Sequence, residues 1–393
     1  MKRINPAVKT FLILCFLISF TINTKGQLSK VKVSLFYEYN IPAVVFSVES
    51  GSYQIKADSR VIMTLEEQDV AYLSVVDGEI WVQTIEGGNA GVFGRVELVS
   101  ANEGGVFSLK PVFPSKDARS YDGDIVFSVE FGTIEMINIV EKDLYLAGVV
   151  EAESGNSGRF EFYKTQAVIC RTFLYGQTEK YRINGFHVCD AVYCQVYKGR
   201  STDNIDILEA VRQTRDEVIT GEGNEIITAA FHANCGGGTV NSEDAWLIHD
   251  PVLRSVTDPY CSNGNGFTWQ REINIPEWRN YLSGQGFQLS YGVDYSDNYF
   301  TRDYKRDGYY SIGSARVSYR KIRNDWNLRS SFFSIVSGRR EGTLLIKGRG
   351  YGHGVGMCQE GAMEMAARGY SYRDIINFYY TGVSLTDISN LSE

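Results

Sequence analysis

An α+β fold is what the sequence predicts, with a strand-rich N-terminal region followed by a mixed segment of strands and helices. Three observations carry that reading. From Val31 to Val140 the chain alternates apolar and polar residues in short runs, the period of a half-buried strand. Those runs are punctuated by Gly, Asp, Asn or Ser at roughly 8–12-residue intervals, as in a barrel or sandwich. Near Glu141 the period becomes helical, and strands and helices then follow one another without regular alternation, which fits α+β better than a parallel α/β sheet.

The first 26 residues read as an address rather than structure. Lys2, Arg3 and Lys9 form a basic start, and Phe11 to Ile22 is an apolar run of 12 residues, short of the about 20 that span a bilayer. Thr24-Lys25-Gly26 then supplies small residues where secretory cleavage needs them. No Cys stands at that point, so a lipid-anchored form is not expected, and an uncleaved anchor stays open. The expected location is outside the cytoplasm, in the periplasm or cell envelope. Cleavage removes Lys2, Arg3, Lys9 and Lys25 and no acidic residue, which moves the net charge from −8 to −12. An acidic chain lacks the Lys/Arg surplus that nucleic acid requires. Wholesale disorder is excluded by 25 Tyr, 21 Phe and 5 Trp, too much apolar surface for a solvated coil.

In the strand-rich part the expected strands are VKVSLFYEY, AVVFSVE, SYQIKA, RVIMTLE, VAYLSVV, EIWVQTI, GRVELVS, GVFSLKPV and DIVFSVEF. This part has neither His nor Cys, which suits a scaffold or binding module. DLYLAGVVEAE and FEFYKTQAVICRTFLYGQTEKY then read as two helices, and ILEAVRQTRDEV as a third. EIITAAFHANCGGGT reads as a buried strand ending in a Gly-rich turn. PEWRNYLS opens a helix with Pro in its first turn. SFFSIVS, GRREG and TLLIKGRG read as strand, turn and strand, and MCQEGAMEMAARG and YRDIINFYY as closing helices.

Several groups carry chemistry. Glu153 ends the YLAGVVEAE helix before the flexible SGNSG, where a carboxylate can face a cleft. Lys164 and Arg171, seven apart, share a helix face and form either a solvated stripe or a basic ridge for a polar substrate. His187, Cys189 and Cys194 could supply three zinc ligands. The same cysteines could equally form a short-loop disulfide, with Cys235 paired to Cys261. Six cysteines remain after cleavage, so bridges are affordable in an oxidising compartment. Finally GRGYGHGVGMCQEGA surrounds His353 with glycines, implying tight turns and a backbone that something approaches closely. No Gly-Lys-Ser/Thr follows, so it is no phosphate loop.

Together YLAGVVEAE, KTQAVICRT, CQVYKGR, AAFHANCGGGTVNSEDAW, LRSVTDPY and GRGYGHGVGMCQEGA resemble, in order, the sporulation stage II protein D family (SpoIID/LytB domain), exported proteins that act on peptidoglycan. The resemblance divides the chain into a signal peptide (1–26), a β-rich N-terminal region (27–140) and a SpoIID/LytB-like domain (141–393). It implies a lytic transglycosylase that cuts denuded glycan strands between N-acetylmuramic acid and N-acetylglucosamine, leaving 1,6-anhydro ends. It maps the catalytic acid to Glu153 and the helical basic residues to Lys164 and Arg171. Substrate contacts are expected from Lys164, Arg171, His353 and Gln359. No cofactor is required, and the zinc that some members hold through a His/Cys cluster maps loosely onto His187, Cys189 and Cys194. The chain departs from the family pattern at Ser154, which replaces a Met, and at Cys170, Cys358 and Tyr193. The departures at Cys170 and Cys358 raise a bridge between them. Two other functions compete: an amidase enhancer that binds wall and stimulates a separate amidase, and a zinc hydrolase using the His/Cys group. The expected partners are glycan strands and, for the enhancer, a cell-wall amidase.

Overall fold

The computed structural model describes residues 28–84, 88–201, 204–297, 306 and 308–391. The proposed signal segment, Cys15 included, lies outside them. The fold is mixed α/β, with several sheets and helices.

Two sheets dominate the first part, antiparallel except where Val188–Cys189 pairs in parallel with Lys30–Ser34. The larger runs in the order Val188–Cys189, Lys30–Ser34, Thr133–Glu141, Asp124–Glu130, Arg95–Ser100, Tyr53–Ala57, Arg60–Leu65. The smaller runs Arg119–Asp122, Val106–Phe113, Ala43–Ser50, Val70–Val76, Glu79–Thr84, Gly88–Phe93. Alternate side chains of both sheets are buried in one shared core, including Phe46, Tyr53, Ile80 and Leu98. Rings interlock across it: Phe46 lies 5.4 Å from Tyr53 and 5.1 Å from Phe107. All nine expected strands appear. Gly88–Phe93, Arg119–Asp122 and Thr133–Glu141 were not anticipated.

The last of these runs directly into the Lys142–Ser154 helix, whose buried residues Tyr145, Leu146, Val149 and Val150 join the same core. The Phe160–Gln177 helix packs beside it. It stops short of the expected TEKY extension. The ILEAVRQTRDEV segment divides into the Ile205–Gln213 helix and a strand, Glu217–Thr220, because Val218 and Ile219 are buried in the pairing with Ser384–Asp387. The apolar run around Phe231 is mostly irregular. Phe231–His232 pairs, in parallel, with Met357–Cys358, and isolated bridges join Ile226 to Thr220 and Asn234 to Tyr351.

A second apolar cluster forms around Trp278 from the Ile275–Gly284 helix, the Tyr319–Asp325 helix and the strands Phe333–Ser337 and Thr343–Arg349. No helix among the described residues is long and apolar enough to cross a membrane.

Candidate functional site

Glu153 reaches its position through a glycine. At Gly148, one turn earlier, an added Cβ would lie 2.1 Å from the carbonyl oxygen of Gly199 and 2.8 Å from the Tyr197 ring. Only Gly lets the CQVYKGR segment lie this close across the helix. That approach delivers the Val196 N–H, which donates to Glu153 Oε1 at 2.8 Å. The Glu153 main-chain carbonyl is held as well, accepting from Gln359 Nε2 at 3.1 Å.

The Gly-rich loop supplies the facing wall. Gly350, Gly352, Gly354 and Gly356 all have positive φ. At Gly354 a Cβ would meet the Arg306 guanidinium at 2.5 Å, so the loop folds tightly over that buried cation. The turn presents His353 beside His232 and Trp246, with ring centroids 5.4 and 5.0 Å away.

Between these walls lies a cleft of about 550 Å³, lined among others by Glu153, Gln195, His232, Trp246, Tyr351, His353 and Gln359. This is the size range of small-molecule and sugar sites. Burial pushes the Glu153 carboxyl up from its ordinary value, against the smaller opposing effects of the Val196 hydrogen bond and the Lys198 charge. Desolvation is the dominant cause, the pattern that keeps a carboxylic acid protonated for proton donation. Burial, aided by the charges of Arg306 and Arg323, pushes His353 down to about 4, so it is neutral at pH 7. His232 is driven down chiefly by burial too. Its Nδ1 meets the Val355 carbonyl at 3.1 Å, while its Nε2 is buried without a partner, as is Gln195 Oε1.

The structure brings together Glu153, His353 and Gln359, with Cys194 also on the cleft lining, and places Lys164 and Arg171 away from it. Arg171 is fully buried and donates to the carbonyls of Val211 at 2.9 Å and Glu217 at 3.2 Å. Expected from sequence as a substrate contact, it is not among the residues lining the cleft, and its guanidinium instead ties three elements together inside the protein. Lys164 pairs with Glu161 at 2.9 Å and sits over the Phe160 and Tyr372 rings, and it is not among the residues lining the cleft. Gln359 is buried, and its amide nitrogen contacts the Glu153 carbonyl and Gln166 Oε1. That makes it a positioning group.

The metal set is corrected as well. Cys189 and Cys194 are joined as a disulfide, and His187 Nδ1 accepts the Lys32 N–H at 3.1 Å. With both sulfurs in the disulfide the group offers no thiolate, so it does not fit a zinc ion, which takes cysteine as the free thiolate. A Cys170–Cys358 bridge is absent too, since both are free thiols. A different group, Cys235, Asp258, Cys261 and Cys358, is buried with its ligand atoms within 4.8 Å of one another and could chelate a metal. Trp246 and Tyr351 also belong to the site. Sequence left them unassigned, although both lie within or beside the motif stretches, because exposure at a cleft cannot be read from residue type.

The family model described as Stage II sporulation protein (SpoIID) matches residues 130–220, which contain Glu153 and the segment that bonds to it. A stage II sporulation protein D of Bacillus amyloliquefaciens is 31% identical over 278 residues, 67% of this chain and 78% of that protein. The chain belongs to the SpoIID family. Its Bacillus subtilis (strain 168) counterpart, also a stage II sporulation protein D, is 28% identical over 300 residues, 71% of this chain and 84% of that one. An amidase enhancer of the same organism is 27% identical over 292 residues, 61% of this chain and 40% of the enhancer.

Proposed function

We propose that this SpoIID-family chain is an exported lytic transglycosylase acting on denuded peptidoglycan glycan, with Glu153 as its acid and base. One observation carries the reading: a half-buried carboxyl with a raised proton affinity opens on a sugar-sized cleft, and no Lys or Arg among the described residues forms an ion pair with it. Protonated Glu153 donates to the oxygen bridging the two sugars. The resulting carboxylate takes the proton of the muramic C6 hydroxyl as that oxygen closes on C1. Ordinary glycosidases need a second carboxylate for water or for a covalent link. Here the nucleophile belongs to the substrate, so a single acid suffices. The Val196 N–H stabilises the carboxylate form between the two proton transfers, and Gln359 fixes the backbone from which Glu153 projects.

The wall suits a sugar polymer. Trp246 and Tyr351 are partly exposed, at 36% and 49%, and offer faces on which sugar rings stack. His232 and Gln195 also line the cleft, each with a buried polar atom that has no protein partner. We expect Trp246→Ala to raise KM for long glycan by roughly tenfold, the loss of about 1–1.5 kcal/mol of stacking, with kcat changed far less. Steady-state kinetics on glycan oligomers checks this.

The activity should also fall as pH rises through the raised Glu153 pKa, because the acid must carry its proton. Stability shifts in the same sense. A carboxyl with a folded-state pKa above 4.5 binds more protons folded than unfolded, so its contribution declines from pH 4.5 upward to that raised value and is then constant. A kcat/KM profile whose alkaline limb sits at an unshifted carboxylate value, near 4.3 or about there, is the outcome that removes Glu153 from the acid role.

The amidase-enhancer similarity supports a second reading, in which the cleft binds glycan without cutting it and the chain stimulates a separate amidase. Mass spectrometry of a denuded-glycan digest separates the two. Anhydro-muramyl products favour the transglycosylase, reducing-end products a hydrolase, and none the enhancer.

A further inference from the structure

We propose that Cys235, Asp258, Cys261 and Cys358 bind a zinc ion that staples together the three loops behind the cleft. All four are fully or almost fully buried, and one ligand atom from each lies within 4.8 Å of the others. Cys235 Sγ is 3.3 Å from Cys261 Sγ and 3.2 Å from Asp258 Oδ2. Around tetrahedral zinc with bonds of about 2.3 Å to sulfur, ligand atoms stand about 3.8 Å apart. The cluster is of that scale, so an ion fits with ligand shifts of up to about 1 Å.

The surroundings are those of a metal site rather than of an apolar core. The Cys235 N–H points at Cys358 Sγ, at 3.2 Å, as backbone amides do toward metal-bound thiolates. Asp258 Oδ1 accepts the N–H groups of Tyr260 at 2.8 Å and Cys261 at 3.3 Å, and Tyr379 donates to Oδ2 at 2.9 Å. These bonds orient the carboxylate from outside, the outer-shell support that metal ligands need. Fully buried Arg306 donates to the Cys235 carbonyl at 2.7 Å. Its charge offsets part of the excess negative charge of three thiolates and a carboxylate around a divalent ion. Asp258 and Cys261 are separated by two residues, a compact pair, whereas Cys358 ends the strand that pairs with Phe231–His232 and Cys235 follows three residues after that partner strand.

A Cys235–Cys261 disulfide is the competing state. It uses two of the three sulfurs, leaving Cys358 a buried thiol and Asp258 a buried carboxylate with no Lys or Arg on its oxygens among the described residues. Zinc engages all four. Since Gln359 follows Cys358 and holds the Glu153 carbonyl, the ion would anchor the cleft floor without touching substrate.

The purified full chain should contain one zinc by elemental analysis. Exchange with cobalt should give thiolate charge-transfer absorption in the near ultraviolet and tetrahedral bands in the visible. Because the cobalt spectrum is read on the unmodified chain, it does not depend on a variant folding. Cys358→Ser should lose the metal, whereas a Cys235–Cys261 bridge is indifferent to that change. Cys189→Ser with Cys194→Ser should leave the metal in place. Peptide mapping that finds Cys235 bridged to Cys261, absence of a cobalt–thiolate spectrum, or retention of stoichiometric zinc in Cys358→Ser each overturns the proposal.

Discussion

Glu153→Gln is expected to abolish release of anhydro-muramyl products, lowering kcat on the order of 10²–10⁴-fold, the usual worth of a positioned acid–base group. The change is nearly isosteric, and an amide oxygen can still accept the Val196 N–H that the carboxylate accepts at 2.8 Å. Melting temperature should therefore move little. Gln cannot donate a labile proton to the glycosidic oxygen or take one from the C6 hydroxyl, so both halves of the reaction fail together. Glycan binding should survive, because the aromatic faces and the polar atoms of the cleft remain. The measurement is the product yield from denuded strands, read alongside amidase stimulation in a mixed assay. If the variant releases anhydro products at the unmodified rate, position 153 does no chemistry. If it keeps amidase stimulation while neither form cuts glycan, the enhancer reading stands in its place.

How much of this was legible beforehand depended on the kind of information each residue carries. The N-terminal strands were readable because alternation such as that of Tyr53–Ala57, buried at every second residue, is a local property of the chain. Gly88–Phe93, with two glycines and no regular alternation of buried residues, has no such signature, and its strand exists because Glu79–Thr84 offers it an edge. Glu153, His353 and Gln359 were legible as a set only through motif order. Nothing in their spacing states that residues 206 apart in sequence share a hydrogen bond. The cysteines were the hardest. Cys189 and Cys194 have ligand-like spacing and a His nearby, yet five residues of separation suit a disulfide equally well. The convergence of Cys235, Cys261 and Cys358 is set by tertiary folding alone. Lys164 and Arg171 illustrate the opposite error. Cations at helical spacing look like a surface, but a helix packed on several sides can bury a guanidinium when carbonyl groups and carboxylates await it.

Arg171 accordingly predicts a loss of stability rather than of substrate affinity. Its guanidinium is pulled below its ordinary proton affinity by burial and pushed back by Asp143 and Asp216, so the charge is retained in a dry place by those carboxylates. It also satisfies the Val211 and Glu217 carbonyls, where the Ile205–Gln213 helix ends and the Glu217–Thr220 strand begins. Arg171→Met fills similar volume with apolar atoms but strands both carbonyls and removes one of the cations near Asp143 and Asp216, which Arg215 and Lys142 also pair. Removing one side of such a buried network costs about 3–5 kcal/mol. Arg171→Lys recovers the charge but not the fork that reaches two carbonyls at once, and should fall between. Lys164→Met, which breaks an i,i+3 pair with Glu161, should cost under about 1 kcal/mol. Denaturant unfolding ranks the three, with Met at 171 worst and Met at 164 near the unmodified chain. Kinetics at a temperature where all are folded then separates structure from recognition. KM for glycan should be unchanged in the Arg171 variants, since the group lies outside the cleft. A raised KM with unaltered unfolding free energy would instead return Arg171 to the substrate.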